Sequence, residues 1–128
     1  MKKILHRVNT INYLKTVPKE FGVEVDIRSF NNNVIISHEP LLNGTEFEEW
    51  IRFYEHDFLI LNIKEEGLEK YVLDILEKHK IKNFFFLDQS FPFLLKTINS
   101  GEKRCAIRIS EFESIDSAYN LAGKIEWV

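Results

Sequence analysis

Two carboxylates, Glu24 and Asp26, set two residues apart, and a histidine, His38, at the end of the following strand are the side chains of this 128-residue chain whose types and spacing could do chemistry. In Gly22–Arg28 (GVEVDIR) the side chains alternate with period two. Glu24, Asp26 and Arg28 therefore share one face of a strand, and Val23, Val25 and Ile27 share the other. If the polar face looks into water, the element is a surface hairpin with solvated acids. If it looks into an enclosed site, two carboxylates two residues apart can converge on a hard cation. Asn31-Asn32-Asn33 has a turn composition. Beyond it Val34, Ile36 and His38 share a face, so His38 leaves the second strand in a fixed direction. His6 and Arg7 follow the short apolar run Lys3–Leu5.

The elements that must position these groups follow from periodicity and punctuation. Lys3–Leu5 reads as a strand, and Asn9 or Thr10 can cap a short helix through Ile11, Leu14 and Lys15 that Pro18 closes. Gly22–Ile27 and Val34–Ser37 are the next strands. Thr45-Glu46-Phe47-Glu48 has the capping-box pattern, with Thr45 as cap, and opens a helix to about Tyr54. Phe58–Ile63 is an apolar strand that delivers Asn62 and Lys64. Glu66–His79 recurs at three- and four-residue steps as a helix. Asn83–Leu87 is a buried strand whose Phe84-Phe85-Phe86 run belongs to the core. Leu94, Leu95 and Ile98 mark a helix stopped by Gly101. Arg104–Ile109 is the fifth strand, and Ser110-Glu111-Phe112-Glu113 repeats the capping-box pattern before a helix through Leu121. Lys124–Val128 starts a sixth strand.

Regular alternation of strand and helix predicts a parallel sheet with covering helices, its strands apolar because both faces are buried. An open doubly wound sheet and a (β/α) barrel both satisfy the pattern. No GxGxxG or P-loop follows any strand, which weighs against the nucleotide-binding versions. His6-Arg7, Glu24/Asp26, Asn62/Lys64 and Asp88 gather at strand C-terminal ends, where barrel enzymes place their sites. A complete barrel needs eight strands and about 250 residues; the ending Trp127-Val128, inside an apparent strand, fits a barrel cut short.

The length fits a single domain over residues 1–128. A net charge of −3 with scattered basic residues gives no sign of a nucleic-acid groove. No apolar run approaches the roughly 20 residues of a membrane span, and His6-Arg7 interrupts any signal-peptide core. The single Cys105 cannot form an internal disulfide, so a reduced, cytoplasmic setting is expected. His56, His79 and Cys105 carry no motif and read as structural. Glu48-Glu49 and Glu65-Glu66 read as solvated helix starts, and Asp88 as a helix cap or a polar group at a barrel mouth.

His6-Arg7, Asn9-Thr10, Glu24-Val25-Asp26, His38 and Ile63-Lys64, in that order, resemble the glycerophosphodiester phosphodiesterases, which belong to the phospholipase-C-like TIM barrels. The family line runs His-Arg-Gly, Glu-Asn-Thr, Glu-Leu-Asp, His-Asp and Glu-x-Lys. The resemblance implies an α/β fold of (β/α)8 TIM-barrel type, incomplete here, with about six of eight parallel strands and a truncated C-terminal side. It implies that His6 and His38 are the general acid/base pair, suited by a pKa near working pH. Glu24, Asp26 and Asn62 would hold Mg²⁺ or Ca²⁺, and Arg7 and Lys64 would contact the phosphate of a small-molecule phosphodiester. Val8 stands where the family has Gly, Glu39 where it has Asp, and Asn62 where it has a third carboxylate ligand. An amide oxygen can coordinate a hard cation but brings no charge. Asn62 and the missing strands also fit a second expectation: an impaired or incomplete barrel that binds a phosphate compound or a partner chain without turnover.

Overall fold

The computed structural model describes residues 1–128. Its strands are β1 (Ile4–Leu5), β2 (Gly22–Phe30), β3 (Asn33–Ile36), β4 (Thr45–Glu46), β5 (Phe58–Ile63) and β6 (Phe84–Leu87). Its helices are α1 (Ile11–Thr16), α2 (Phe47–Ile51), α3 (Glu69–Lys78), α4 (Phe91–Asn99) and α5 (Ile115–Asn120). The strands form one sheet in the order β4-β3-β2-β5-β6, with β1 paired to the first residues of β2. β1, β5 and β6 run parallel to their neighbours, whereas β3 and β4 are antiparallel.

This sheet is mixed and open, so the expected incomplete (β/α)8 barrel of about six parallel strands is not the fold. Two departures account for the difference. Asn31 and Asn32 take positive φ (47° and 63°), the conformation of a tight hairpin turn. The chain therefore returns antiparallel along β2 and occupies part of the edge a parallel strand would need. The segments expected as fifth and sixth strands, Arg104–Ile109 and Lys124–Val128, make only the isolated parallel bridges Phe86↔Cys105 and Ala106↔Trp127. Closure requires tilt and stagger to agree around a whole ring, and two single-residue bridges do not carry a sheet round.

The helices are short, and tertiary contacts set several of their ends. Thr10 caps α1 by accepting the Tyr13 N–H at 3.1 Å, and Pro18 follows its C-cap at Val17. The expected capping box at Thr45 does not form. Thr45 lies in β4 and donates its hydroxyl to the Asn9 carbonyl at 3.0 Å, while α2 starts at Phe47 without a side-chain cap. Glu48, expected to reach back to Thr45, instead pairs with Lys78 and His79 across to α3. Hydrogen bonding to Lys78, then to His79, holds its carboxyl below the usual value. The second expected box fails similarly: Ser110 pairs with Glu113 in a turn, and Ser114 caps α5 through the Asp116 N–H.

One sheet face makes the core. Val23, Val25, Ile27, Leu59, Leu61, Ile63, Phe84 and Phe86 pack with Leu14, Val17, Phe47, Trp50, Ile51, Val72, Leu76 and Leu94 from the loops and helices. Trp50 is fully buried and donates its indole N–H to the Val8 carbonyl at 3.0 Å, so its polar atom costs nothing in desolvation. The opposite face is less covered. Ile60 and Leu87 are half-buried there, and the rings of Phe58, Phe85 and Trp127 meet in tilted and edge-to-face contacts. Even so, Gly22–Ile27 of β2 and all of β5 except Ile60 are buried, so the central strands are covered on both faces as the apolar runs predict. No helix is long and apolar enough to cross a membrane.

Candidate functional site

Glu24 and Asp26 lie at the middle of β2 and project to the less-covered face, yet they are only 3% and 1% exposed. Two segments meet on the β2 edge beside them. The chain leaving β1 bonds that edge through Val8 N–H to the Glu24 carbonyl (2.9 Å) and through Asp26 N–H to Asn9 Oδ1 (3.1 Å). The chain leaving β3 bonds it through Ser37 N–H to the Asp26 carbonyl (3.0 Å). His6 and His38 thus approach one edge of β2 from opposite directions. On the other side, β5 runs parallel with Asn62 opposite Asp26.

Each carboxylate oxygen faces a nitrogen. Glu24 Oε2 accepts the Arg7 backbone N–H at 2.7 Å, and Oε1 accepts the Asn62 amide at 3.1 Å. Asp26 Oδ2 accepts the Asn9 amide at 2.9 Å, while Oδ1 sits 3.5 Å from the Lys64 ammonium. Buried acids need such partners, because an unpaired charge away from water is costly. Asn62 Oδ1 is buried and has no hydrogen-bond partner.

The structure brings His6, Glu24, Asp26, Asn62 and Lys64 together. The His6 Nδ1 lies 3.8 Å from Glu24 Oε2, and its ring is 73% exposed. His38 comes to the same edge, but its Nδ1 pairs with Glu39 Oε1 at 2.7 Å rather than with the buried acids. Arg7 contributes its backbone N–H to Glu24, while its side chain is exposed. Arg7 carries a positive φ of 54° and Val8 does not. The loop therefore turns left-handed at Arg7 without a glycine, and Val8 fills the core.

Asn9 and Arg28, noted in the sequence but given no site role, are further contributors. Asn9 bonds both the Asp26 carboxylate and the Asp26 backbone N–H, and so fixes the acid's direction. An amide with one donor and one acceptor matches a strand edge and an adjacent acid, but its place before Thr10 reads first as a helix cap. Arg28 donates Nε and Nη2 to the His38 carbonyl at 3.2 and 3.0 Å. It holds the β3 end against β2.

No group of three or more His, Cys, Asp and Glu side chains is placed to hold a metal ion. A cation here would rest on two carboxylates and an amide oxygen. The chemistry of the donor set fits that use: Asn62, opposite Asp26 in register, has a buried Oδ1 with no hydrogen-bond partner, and Glu24 and Asp26 are buried acids. Hard divalent cations take such oxygens.

Several other groups are structural. His56 donates Nε2–H to the Val17 carbonyl at 3.0 Å. Cys105 is buried, and that burial, helped by nearby Glu102 and Glu69, pushes its thiol up to about 12. It is consequently a poor nucleophile. Asp88 neither caps α4, whose N-cap is Ser90, nor lines a barrel mouth; it pairs with Arg108. Glu65 is not a solvated helix start, since it accepts the Ser29 N–H at 2.9 Å and the Ser29 hydroxyl. Compared with family models, curated proteins and solved structures, the chain has no match.

Proposed function

We propose that the chain is a phosphoric diester hydrolase that cleaves small glycerol-type phosphodiesters with the help of Mg²⁺ or Ca²⁺. One observation carries the reading: the chain segments bearing His6 and His38 come from opposite directions to the β2 edge beside two buried carboxylates, and His6 Nδ1 lies 3.8 Å from Glu24 Oε2. General acid/base cleavage needs that placement, one base at the attacking hydroxyl and one acid at the leaving oxygen. A neighbouring hydroxyl of the substrate gives its proton to one imidazole as its oxygen bonds phosphorus. The bond to the leaving alkoxide breaks, the other imidazole supplies the proton, and water then adds to the resulting cyclic phosphate to open it to the monoester. His38 is held by Glu39, whereas His6 is free to meet substrate at the surface. Glu24, Asp26 and Asn62 would hold the cation, whose chemistry is to polarise a phosphoryl oxygen and offset developing charge. Arg7 and Lys64 would meet the phosphate from its exposed side, Arg as a planar fork and Lys as a point charge. A reducing, cytoplasmic setting suits the free Cys105.

A second reading, binding of a phosphate compound without turnover, draws support from Asn62, which leaves two carboxylates where a stronger cation site has three. Release of glycerol 3-phosphate from glycerophosphocholine, with Mg²⁺ or Ca²⁺ added, separates the two. His6→Ala and His38→Ala should each lower that rate by roughly 10²-fold or more, the usual worth of a positioned acid or base. Equal rates for parent and both variants would reject the hydrolase.

A further inference from the structure

We propose that Lys64 acts as a stand-in cation for the buried acids, released to phosphate when a divalent cation enters, so that cation and phosphate bind cooperatively. This rests on the reading of the site given under Proposed function and adds its regulation. Three of the four carboxylate oxygens of Glu24 and Asp26 are engaged by neutral N–H donors at 2.7–3.1 Å: the Arg7 backbone and the Asn62 and Asn9 amides. The fourth, Asp26 Oδ1, faces only the Lys64 ammonium. At 3.5 Å that contact is longer than the 2.7–2.9 Å of a charge-assisted hydrogen bond. It is an ion pair held by charge alone.

The Lys64 backbone is fixed, its N–H donating to the Ile27 carbonyl at 3.1 Å. Its side chain remains 25% exposed against 1% for Asp26. The ammonium therefore sits at the boundary between the acids and water, on a four-carbon stem that can swing. Asn62, opposite Asp26 in the β2–β5 register, carries the unpartnered buried Oδ1. Asp26 Oδ1 and Asn62 Oδ1 are thus the oxygens not bound to a fixed donor.

Two like charges at Asp26 Oδ1 repel each other. Cation entry therefore drives the Lys64 ammonium outward, and a phosphate group gives the displaced charge its next partner. Conversely, phosphate bound first draws the ammonium outward and opens Asp26. Linkage then requires each ligand to raise the affinity of the other by the same factor.

Isothermal titration calorimetry with Mg²⁺, with and without saturating glycerol 3-phosphate, tests this on the parent chain and on Lys64→Met, which keeps the stem and removes the charge. Without the phosphate compound, the variant should bind Mg²⁺ about tenfold more tightly than the parent, within the usual range of site coupling. Glycerol 3-phosphate should tighten Mg²⁺ binding about tenfold in the parent, and by much less in Lys64→Met. Unchanged or weaker Mg²⁺ binding by the variant, or an equal gain from glycerol 3-phosphate in both chains, overturns the coupling and leaves the cation site standing. Absence of Mg²⁺ binding by both chains removes the site reading as well. Circular dichroism of the variant checks that it folds.

Discussion

At the scale of single residues, the acids were the most legible part of the site. Period-two spacing places Glu24 and Asp26 on one face wherever the strand lies, and a carboxylate pair within an apolar strand has few reasons to be there. The residue that aims Asp26 was not legible, because Asn9 does its work across 17 positions of chain, and a cap before Thr10 explains it locally. Its tertiary role makes a sharp prediction. Asn9→Ala leaves the Asp26 Oδ2 and the Asp26 N–H without that partner on a residue that is only 1% exposed. Leaving a buried polar group unmade costs about 1–3 kcal/mol, so urea unfolding of the variant should show a loss of at least that size. A loss no larger than that for Thr10→Ala, whose exposed cap serves only α1, would mean that Asn9 is a surface residue after all.

At the scale of elements, boundaries failed where a residue had two offers. The Thr-x-x-Glu and Ser-x-x-Glu patterns are local signals, yet Thr45 found the Asn9 carbonyl and Glu48 found Lys78, so the first box dissolved into β4 and an interhelix tie. A similar competition fixes the turn after α4. Arg104 donates Nε and Nη2 to Glu102 at 2.8 and 2.7 Å and Nη1 to the Lys82 carbonyl at 3.0 Å. Its guanidinium also lies 4.1 Å from the Phe84 ring centroid. Burial raises the Glu102 pKa, but hydrogen bonds and charge from Arg104 outweigh it and leave the carboxyl below its ordinary 4.5. A lowered folded pKa adds stability that is fully present above the unfolded value and is lost as pH falls through the folded one. The urea midpoint of the parent should therefore exceed that of Glu102→Gln at about pH 6, with the gap closing below about pH 4. A gap that stays constant down to low pH would show that the clip works through shape and not through charge.

At the scale of the whole molecule, chain order was legible and closure was not. Alternating apolar strands and amphipathic helices specify which strands are neighbours, and β1–β2, β2–β5 and β5–β6 are parallel as that reading requires. Whether a sheet closes depends on tilt, stagger and the last pairings, and none of these is written in local periodicity. Here the last pairings are the weakest part. Of residues 106–128, Leu121 alone is buried, and α5 buries no residue. The end of the sheet hangs on a few backbone bonds, among them Ile107 N–H to the Trp127 carbonyl at 3.1 Å and Trp127 N–H to the Cys105 carbonyl at 3.2 Å. Regions with little buried apolar surface open at free energies well below that of global unfolding. Hydrogen exchange read by mass spectrometry should therefore grade along the sheet. Peptides from 108–126 should exchange first, those around Cys105 and Ala106 next, and those from β2 and β5, flanked by strands on both edges, last. If peptides from 108–126 and from β2 exchange together under all conditions, the chain opens as one cooperative unit, and the Trp127 bridge is held far more firmly than its burial allows.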